Sequence, residues 1–147
     1  MTTVRHIISE KGSSVWSLPA SASVNEALAL MAEKGIGAIV VTSQEKIMGI
    51  FSERDYVRLV AETETLSTDV PIQQVMSHPV YFVGPEQTLE ECMSVMTAKH
   101  FRHLPVMENE RLVGLISIGD VVKSLIEDKE TTIKGLESYI LGRGFTQ

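Results

Sequence analysis

The chain of 147 residues has one cysteine and one tryptophan, and aromatics make up 5% of it. A lone Cys92 cannot close an internal disulfide, so a reducing cytoplasm is expected rather than a secreted, cross-linked scaffold. A basic excess is also missing. Lys and Arg number 13 against 19 Asp and Glu, for a net charge of −6, which argues against nonspecific nucleic-acid binding. No apolar run approaches a membrane span, so no membrane partner is expected. Residues 2–9 carry neither the core nor the cleavage site of a signal peptide. The sequence shows no Walker-type glycine loop, nucleophile–base pair or metal constellation, and so nothing to perform catalysis. With 44% apolar and 22% charged residues, it reads as a compact globular protein with a real core.

What is present is a stretch that occurs twice. Gly49-Ile-Phe-Ser52 leads into Asp55, and Gly114-Leu-Ile-Ser117 leads into Asp120. Each Gly, Ser and Asp is displaced by 65 positions (114 − 49, 117 − 52, 120 − 55). Extended without gaps, that offset sets Val15 on Val80, Glu26 on Glu91, Met31 on Met96, Lys34 on Lys99 and Val57 on Val122. Between 15–60 and 80–125, ten of 46 positions are identical, and the apolar pattern persists at many others. A duplicated module fits this best.

Each copy reads as strand, helix, strand, strand, helix. The first has a strand over Val15–Leu18, a helix opened by Ser23 and Glu26, and strands over Ala38–Thr42 and Ile47–Phe51. A second helix is expected from Ser52. The later copy repeats this with Val80–Val83, Thr88–Lys99, Leu104–Met107, Arg111–Ile116 and a helix from Ser117. The fold class is α/β (α+β), two tandem βαββα repeats. Expected boundaries are 1–62 for the first repeat and its lead-in, 63–69 for an acidic linker, and 70–127 for the second repeat with a lead-in helix. A helical tail follows at 128–147, set off by a charged break at Glu127–Glu130. The tail either packs on its own module or meets a second copy or partner.

Ser-x-x-Asp at a strand-to-helix turn has two readings. It caps a helix, with Ser52 and Ser117 accepting from free amides and Asp55 and Asp120 complementing the helix dipole. The same carboxylate can also accept two hydrogen bonds from a vicinal diol such as ribose, beside amides suited to phosphate. Two related corners then predict two similar nucleotide-sized sites where the modules meet.

The tandem pattern, Gly-h-h-Ser-x-x-Asp (h apolar) and the run Arg102-His-Leu-Pro-Val106 resemble the cystathionine β-synthase (CBS) domain pair, or Bateman module, over roughly residues 1–127. The resemblance implies packing with pseudo-two-fold symmetry and binding of an adenosine nucleotide. AMP leads, and ADP, ATP, NAD or S-adenosylmethionine are alternatives. By matching position, Asp55 and Asp120 would hold ribose hydroxyls, and Ser52 and Ser117 would help at ribose or phosphate, with Ile118 and Gly119 alongside. The segments at Val15, Trp16 and at Val80, Tyr81 would flank adenine. Arg102 and His103 fall where the family places phosphate-contacting residues. The first repeat has Gly37 and Ala38 there, so equal affinity of two sites is not expected, and Arg54 is a candidate for the missing charge. A homodimer is implied by resemblance alone, with an unidentified regulated protein as a further partner.

The expected function is thus a regulatory adenosine-nucleotide sensor in signal transduction, not an enzyme. The alternatives are a structural dimerisation module without nucleotide, or a nucleotide-processing enzyme. His100 and His103 lie near a helix-to-strand turn with no Cys or carboxylate cluster in sequence, so no metal is assigned. Cys92, beside Met93 and Met96 in a helical pattern, reads as a buried small hydrophobe.

Overall fold

A computed structural model describes residues 2–12, 15–64, 66 and 68–140. Helix α1 (Val4–Lys11) precedes strand β1 (Ser17–Pro19), helix α2 (Val24–Lys34), strands β2 (Ala38–Ser43) and β3 (Lys46–Ser52), and helix α3 (Glu53–Thr63). A 3-10 turn at Ile72–Gln74 leads to α4 (Leu89–Lys99), β4 (His103–Glu108), β5 (Arg111–Ser117) and α5 (Ile118–Ile140). The mixed α/β architecture agrees with the expected fold class. In the first sheet β1 runs parallel to β2, and β2 antiparallel to β3; in the second, β4 pairs with β5.

The 65-residue offset survives in detail. Leu18 pairs with Val41 and Val83 with Val106, both in parallel. The β2–β3 ladder shifts register after Val41, and the β4–β5 ladder after Val106. Both hairpins turn through two residues of positive φ, Gln44–Glu45 and Asn109–Glu110, as a primed turn requires. Ser23 accepts from the Glu26 amide, and Thr88 from the Glu91 amide, at the starts of α2 and α4.

Four local features differ from the sequence reading. Strand β1 begins at Ser17 rather than Val15, although the Trp16 carbonyl still accepts from the Val40 amide at 3.1 Å. The Val80–Val83 segment is not a strand: Val83 alone makes a bridge. Pro105 stands where Val40 stands in the first repeat, and without an N–H it cannot hold the Tyr81 carbonyl. The second lead-in is a 3-10 turn and not an α-helix. Its Gln74 and Val75 amides donate three residues back, to the Pro71 and Ile72 carbonyls at 3.1 Å. The Ser77 amide then leaves for the Ile50 carbonyl of β3 at 2.8 Å, so no further turn is added. Finally, no break occurs at Glu127–Glu130: α5 runs through it, since exposed Glu, Asp and Lys are adequate helix formers. The Gly142–Gly144 helix stop lies outside the described residues.

Each repeat has its own core, and each core is completed by the other lead-in. Val4 and Ile7 of α1 are buried with Val83, Leu89, Met96, Leu104 and Ile116 of the second repeat. Ile72 is buried with Val24, Met31, Ile39 and Phe51 of the first. This crossing depends on the two motif glycines. A Cβ on Gly49 would lie 2.6 Å from Met76 Sδ and 2.7 Å from the Ser77 carbonyl oxygen, and one on Gly114 would collide with Ile8 Cδ1. Glycine there lets the incoming segment lie against β3 or β5.

Candidate functional site

The two Ser-x-x-Asp corners form reciprocal caps. At the first, the Ser52 amide donates to Asp55 Oδ2 at 2.8 Å, and the Asp55 amide donates to Ser52 Oγ at 3.4 Å. At the second, the Ser117 amide donates to Asp120 Oδ2 at 2.8 Å, and the Asp120 amide to Ser117 Oγ at 3.1 Å. The capping function is therefore real at both. Each carboxylate also holds a partner delivered by the crossing lead-in.

Asp55 is 3% exposed and has more partners. Besides the cap, its Oδ2 accepts from Ser52 Oγ at 3.1 Å, and its Oδ1 accepts from Ser77 Oγ at 2.7 Å and from the Arg58 guanidinium at 3.1 Å. Asp120 is half-buried, and its Oδ2 accepts from Lys11 Nζ at 2.7 Å. Burial alone would raise the Asp120 pKa. The Lys11 ammonium and the Ser117 amide outweigh burial and hold it below the ordinary carboxylate value.

The Asp55 corner opens onto a cleft of about 680 Å³. Of the residues marked from sequence, the cleft gathers Ser52, Arg54 and Asp55 from the first repeat with Val80, Tyr81, Arg102, His103 and Ile118 from the second. The grouping is thus between repeats. Arg54 does not replace Arg102 in a separate pocket but joins it in the same one. Val15, Trp16, Gly37, Ala38, Ser117, Gly119 and Asp120 do not line this cleft. Gly37 and Ala38 lie instead at the start of β2, where the Gly37 carbonyl accepts from the Glu53 amide at 3.0 Å and Ala38 pairs with Ser52.

Cations dominate the cleft wall. Arg54, Arg58 and Arg102 line it with His100 and His103, against Asp55 as its one carboxylate. Tyr81 packs on Phe101 with ring centroids 5.4 Å apart, and Lys99 Nζ lies 5.5 Å from the Tyr81 ring. Trp16, its counterpart, carries Lys34 Nζ at 4.3 Å. Burial lowers the His103 pKa, as do Lys11 and Arg102, while Asp120 and Asp55 raise it; the net shift is downward. Such a wall accepts anions, an aromatic floor accepts a flat base, and a buried acceptor receives hydroxyls.

Sequence reasoning did not find Ser77, Arg58 or Lys11. Arg58 carried a signal, being three residues past Asp55 on one helical face. Ser77 and Lys11 carried none, since only the crossing of the lead-ins brings them in. A second cleft, about 850 Å³, lies between the hairpin ends and Pro79–Phe82, but of the marked residues it contains Val80 alone. Cys92 is buried and its thiol is pushed up to about 11, first by burial and then by Glu91. Among the described residues no helix is long and apolar enough to cross a membrane.

A family model of the CBS domain matches residues 4–62 and again 72–127. A CBS-domain containing protein from Agrobacterium tumefaciens, known from a crystal structure, is 39% identical with a TM-score of 0.78. The match covers 84% of this chain and 98% of that one. The mitochondrial CBS domain-containing protein CBSX3 of Arabidopsis thaliana is 29% identical over 151 residues, 96% of this chain and 73% of the relative. A CBS domain protein from Pyrobaculum aerophilum, solved complexed with AMP, is 25% identical with a TM-score of 0.70, over 81% and 89% of the two chains. Two tandem matches over a duplicated sheet-and-helix unit place this chain in the CBS domain family, with the domain present twice.

Proposed function

We propose that the chain is a regulatory module that binds an adenosine nucleotide in the cleft between the Asp55 corner and the second repeat. One observation carries the reading: a buried carboxylate at the start of α3 shares that cleft with three arginines, two histidines and the Tyr81–Phe101 pair. The AMP bound by the Pyrobaculum relative supports the same ligand class. The sugar diol would take the place of the Ser77 hydroxyl on Asp55 Oδ1, one hydroxyl for another. Phosphate would lie toward Arg54, Arg102 and His103, and the base against Tyr81. AMP is the simplest ligand, and ADP, ATP or NAD would extend along the same cationic wall.

Such a ligand bridges the two repeats. It therefore favours whichever arrangement brings Arg102 and Tyr81 toward α3, and that bias is the signal. The reading assigns no catalytic step. Val57 on α3 and Val122 on α5, equivalent by the offset, are exposed at 66% and 39%. A second copy of the chain is the simplest cover for them, and a regulated partner would then read the dimer. A reducing compartment, the cytoplasm in the simplest case, suits the buried thiol of Cys92.

The test is calorimetry on ligand-stripped protein with AMP, ADP, ATP and NAD, together with Arg102→Ala and Asp55→Ala. Saturable binding in the wild type, weakened about tenfold or more in each variant, is expected, since each removes a charge-assisted contact. No heat with any of the four compounds would sink the reading.

A further inference from the structure

The Asp120 corner carries something that its twin does not. Helix α1 packs on the second repeat, with Val4 and Ile7 buried there and Ile8 filling the space left at Gly114. That packing sets Lys11, the last residue of α1, over the second corner. Its Nζ donates to the Leu115 carbonyl at 2.8 Å and to Asp120 Oδ2 at 2.7 Å. The lead-in of the first corner supplies instead a neutral hydroxyl, Ser77 Oγ, making one bond to Asp55. The cation on that carboxylate, Arg58, comes from α3 itself, is exposed, and makes a single longer contact of 3.1 Å. A hydroxyl exchanges readily with a sugar hydroxyl. An ammonium holding two oxygens does not, because its removal breaks a charge-assisted pair and nothing in a ribose replaces the charge.

The surroundings agree. By the offset, Gly119 stands for Arg54, Gly37 for Arg102 and Ala38 for His103, so of the three arginines of the first cleft only Arg58 has a basic counterpart, Lys123. We infer that Lys11 is a built-in occupant that keeps the Asp120 corner closed to nucleotide, so that each chain takes one nucleotide rather than two. This rests on the reading of the first cleft given above, and the experiment separates the two.

Stoichiometry is measured by calorimetry with AMP and with adenosine on the wild type, Lys11→Met and the double variant Lys11→Met/Asp120→Ala. One site in the wild type, two in Lys11→Met and one again in the double variant is expected. Adenosine should reach the new site about as well as AMP, since the counterparts of Arg54 and Arg102 are glycines. Two sites in the wild type overturn the inference. So does a folded Lys11→Met variant that still binds one, and that result leaves the first cleft intact. Binding absent in the wild type but present once in Lys11→Met upholds the closure and removes the first-cleft reading, whereas no binding in either removes both. If Lys11→Met fails to fold, Lys11→Gln keeps a donor for the Leu115 carbonyl without the charge and serves in its place.

Discussion

Asp55 and Asp120 occupy the same position in two copies of one motif and make the same pair of capping bonds, the serine amide meeting each carboxylate at 2.8 Å. They differ in what the opposite lead-in brings. Asp55 receives a hydroxyl, is buried, and faces a cleft lined with arginine; Asp120 receives an ammonium, is half-buried, and lies outside that cleft. A duplicated corner thus diverges through residues outside the motif. Motif glycines admit the segment, and the identity of one side chain on that segment decides whether the carboxylate is free to exchange.

The largest expected effect strikes the crossing itself. Gly49→Ala drives a Cβ into the Ser77 backbone carbonyl and Met76, and the backbone there is tied to β3 by the Ile50–Ser77 bonds at 2.8 and 3.0 Å. It should cost about 1–3 kcal/mol, as overpacking does. Gly114→Ala meets the far end of the Ile8 side chain, which can rotate away, so it should cost about 1 kcal/mol or less. Denaturant midpoints of the two variants check this; equal losses would break the asymmetry.

Next come the carboxylates in the ligand-free protein. Asp55→Ala removes a buried acceptor serving Ser52, Ser77 and Arg58, and should cost about 2 kcal/mol. Asp120→Ala loses its cap and a partly exposed ion pair, and should cost about 1 kcal/mol. Nucleotide binding should weaken about tenfold or more in the first and persist unchanged in the second. Acid titration sharpens the contrast. The Asp120 pKa is depressed, so its stabilisation is present above the ordinary value of 3.8 and is lost as pH falls through the folded value. In Lys11→Met the depression should shrink, so the acid-dependent loss should be smaller and complete at a higher pH.

Much of this is legible in the sequence alone. The offset of 65 located both corners, and it recurs in the hairpin turns, register shifts and caps, because each depends on local residues repeated in sequence. Pro105, visible in the sequence, already implies that Val80–Val83 cannot pair as its twin does. The continuity of α5 differs from the expected charged break because neither Gly nor Pro interrupts Glu127–Glu130, and charge alone does not stop a helix. What no local pattern could supply is which repeat each lead-in covers. That is a matter of long-range packing, and it decides that Arg102 and His103 face Asp55, and that Lys11 faces Asp120.

The smallest effect concerns His103, whose counterpart in the first repeat, Ala38, cannot titrate. Burial first, then Lys11 and Arg102, hold its pKa down against the pull of Asp120 and Asp55. The imidazole is therefore neutral at neutral pH. Because the unfolded chain takes up that proton more readily, His103 contributes its full stability above the ordinary value of 6.5 and loses it as pH falls below. A phosphate arriving beside Arg102 would reverse the balance and raise the pKa, so nucleotide binding should take up a fraction of a proton near pH 6–7. Calorimetry in buffers of differing ionisation enthalpy reads that uptake, and His103→Ala should abolish it. Lys11→Met should also raise the His103 pKa in the free protein, visible in its imidazole proton shifts. If that titration does not move, the Lys11 ammonium does not sit where it can govern the second corner, and the difference between the two halves must lie elsewhere.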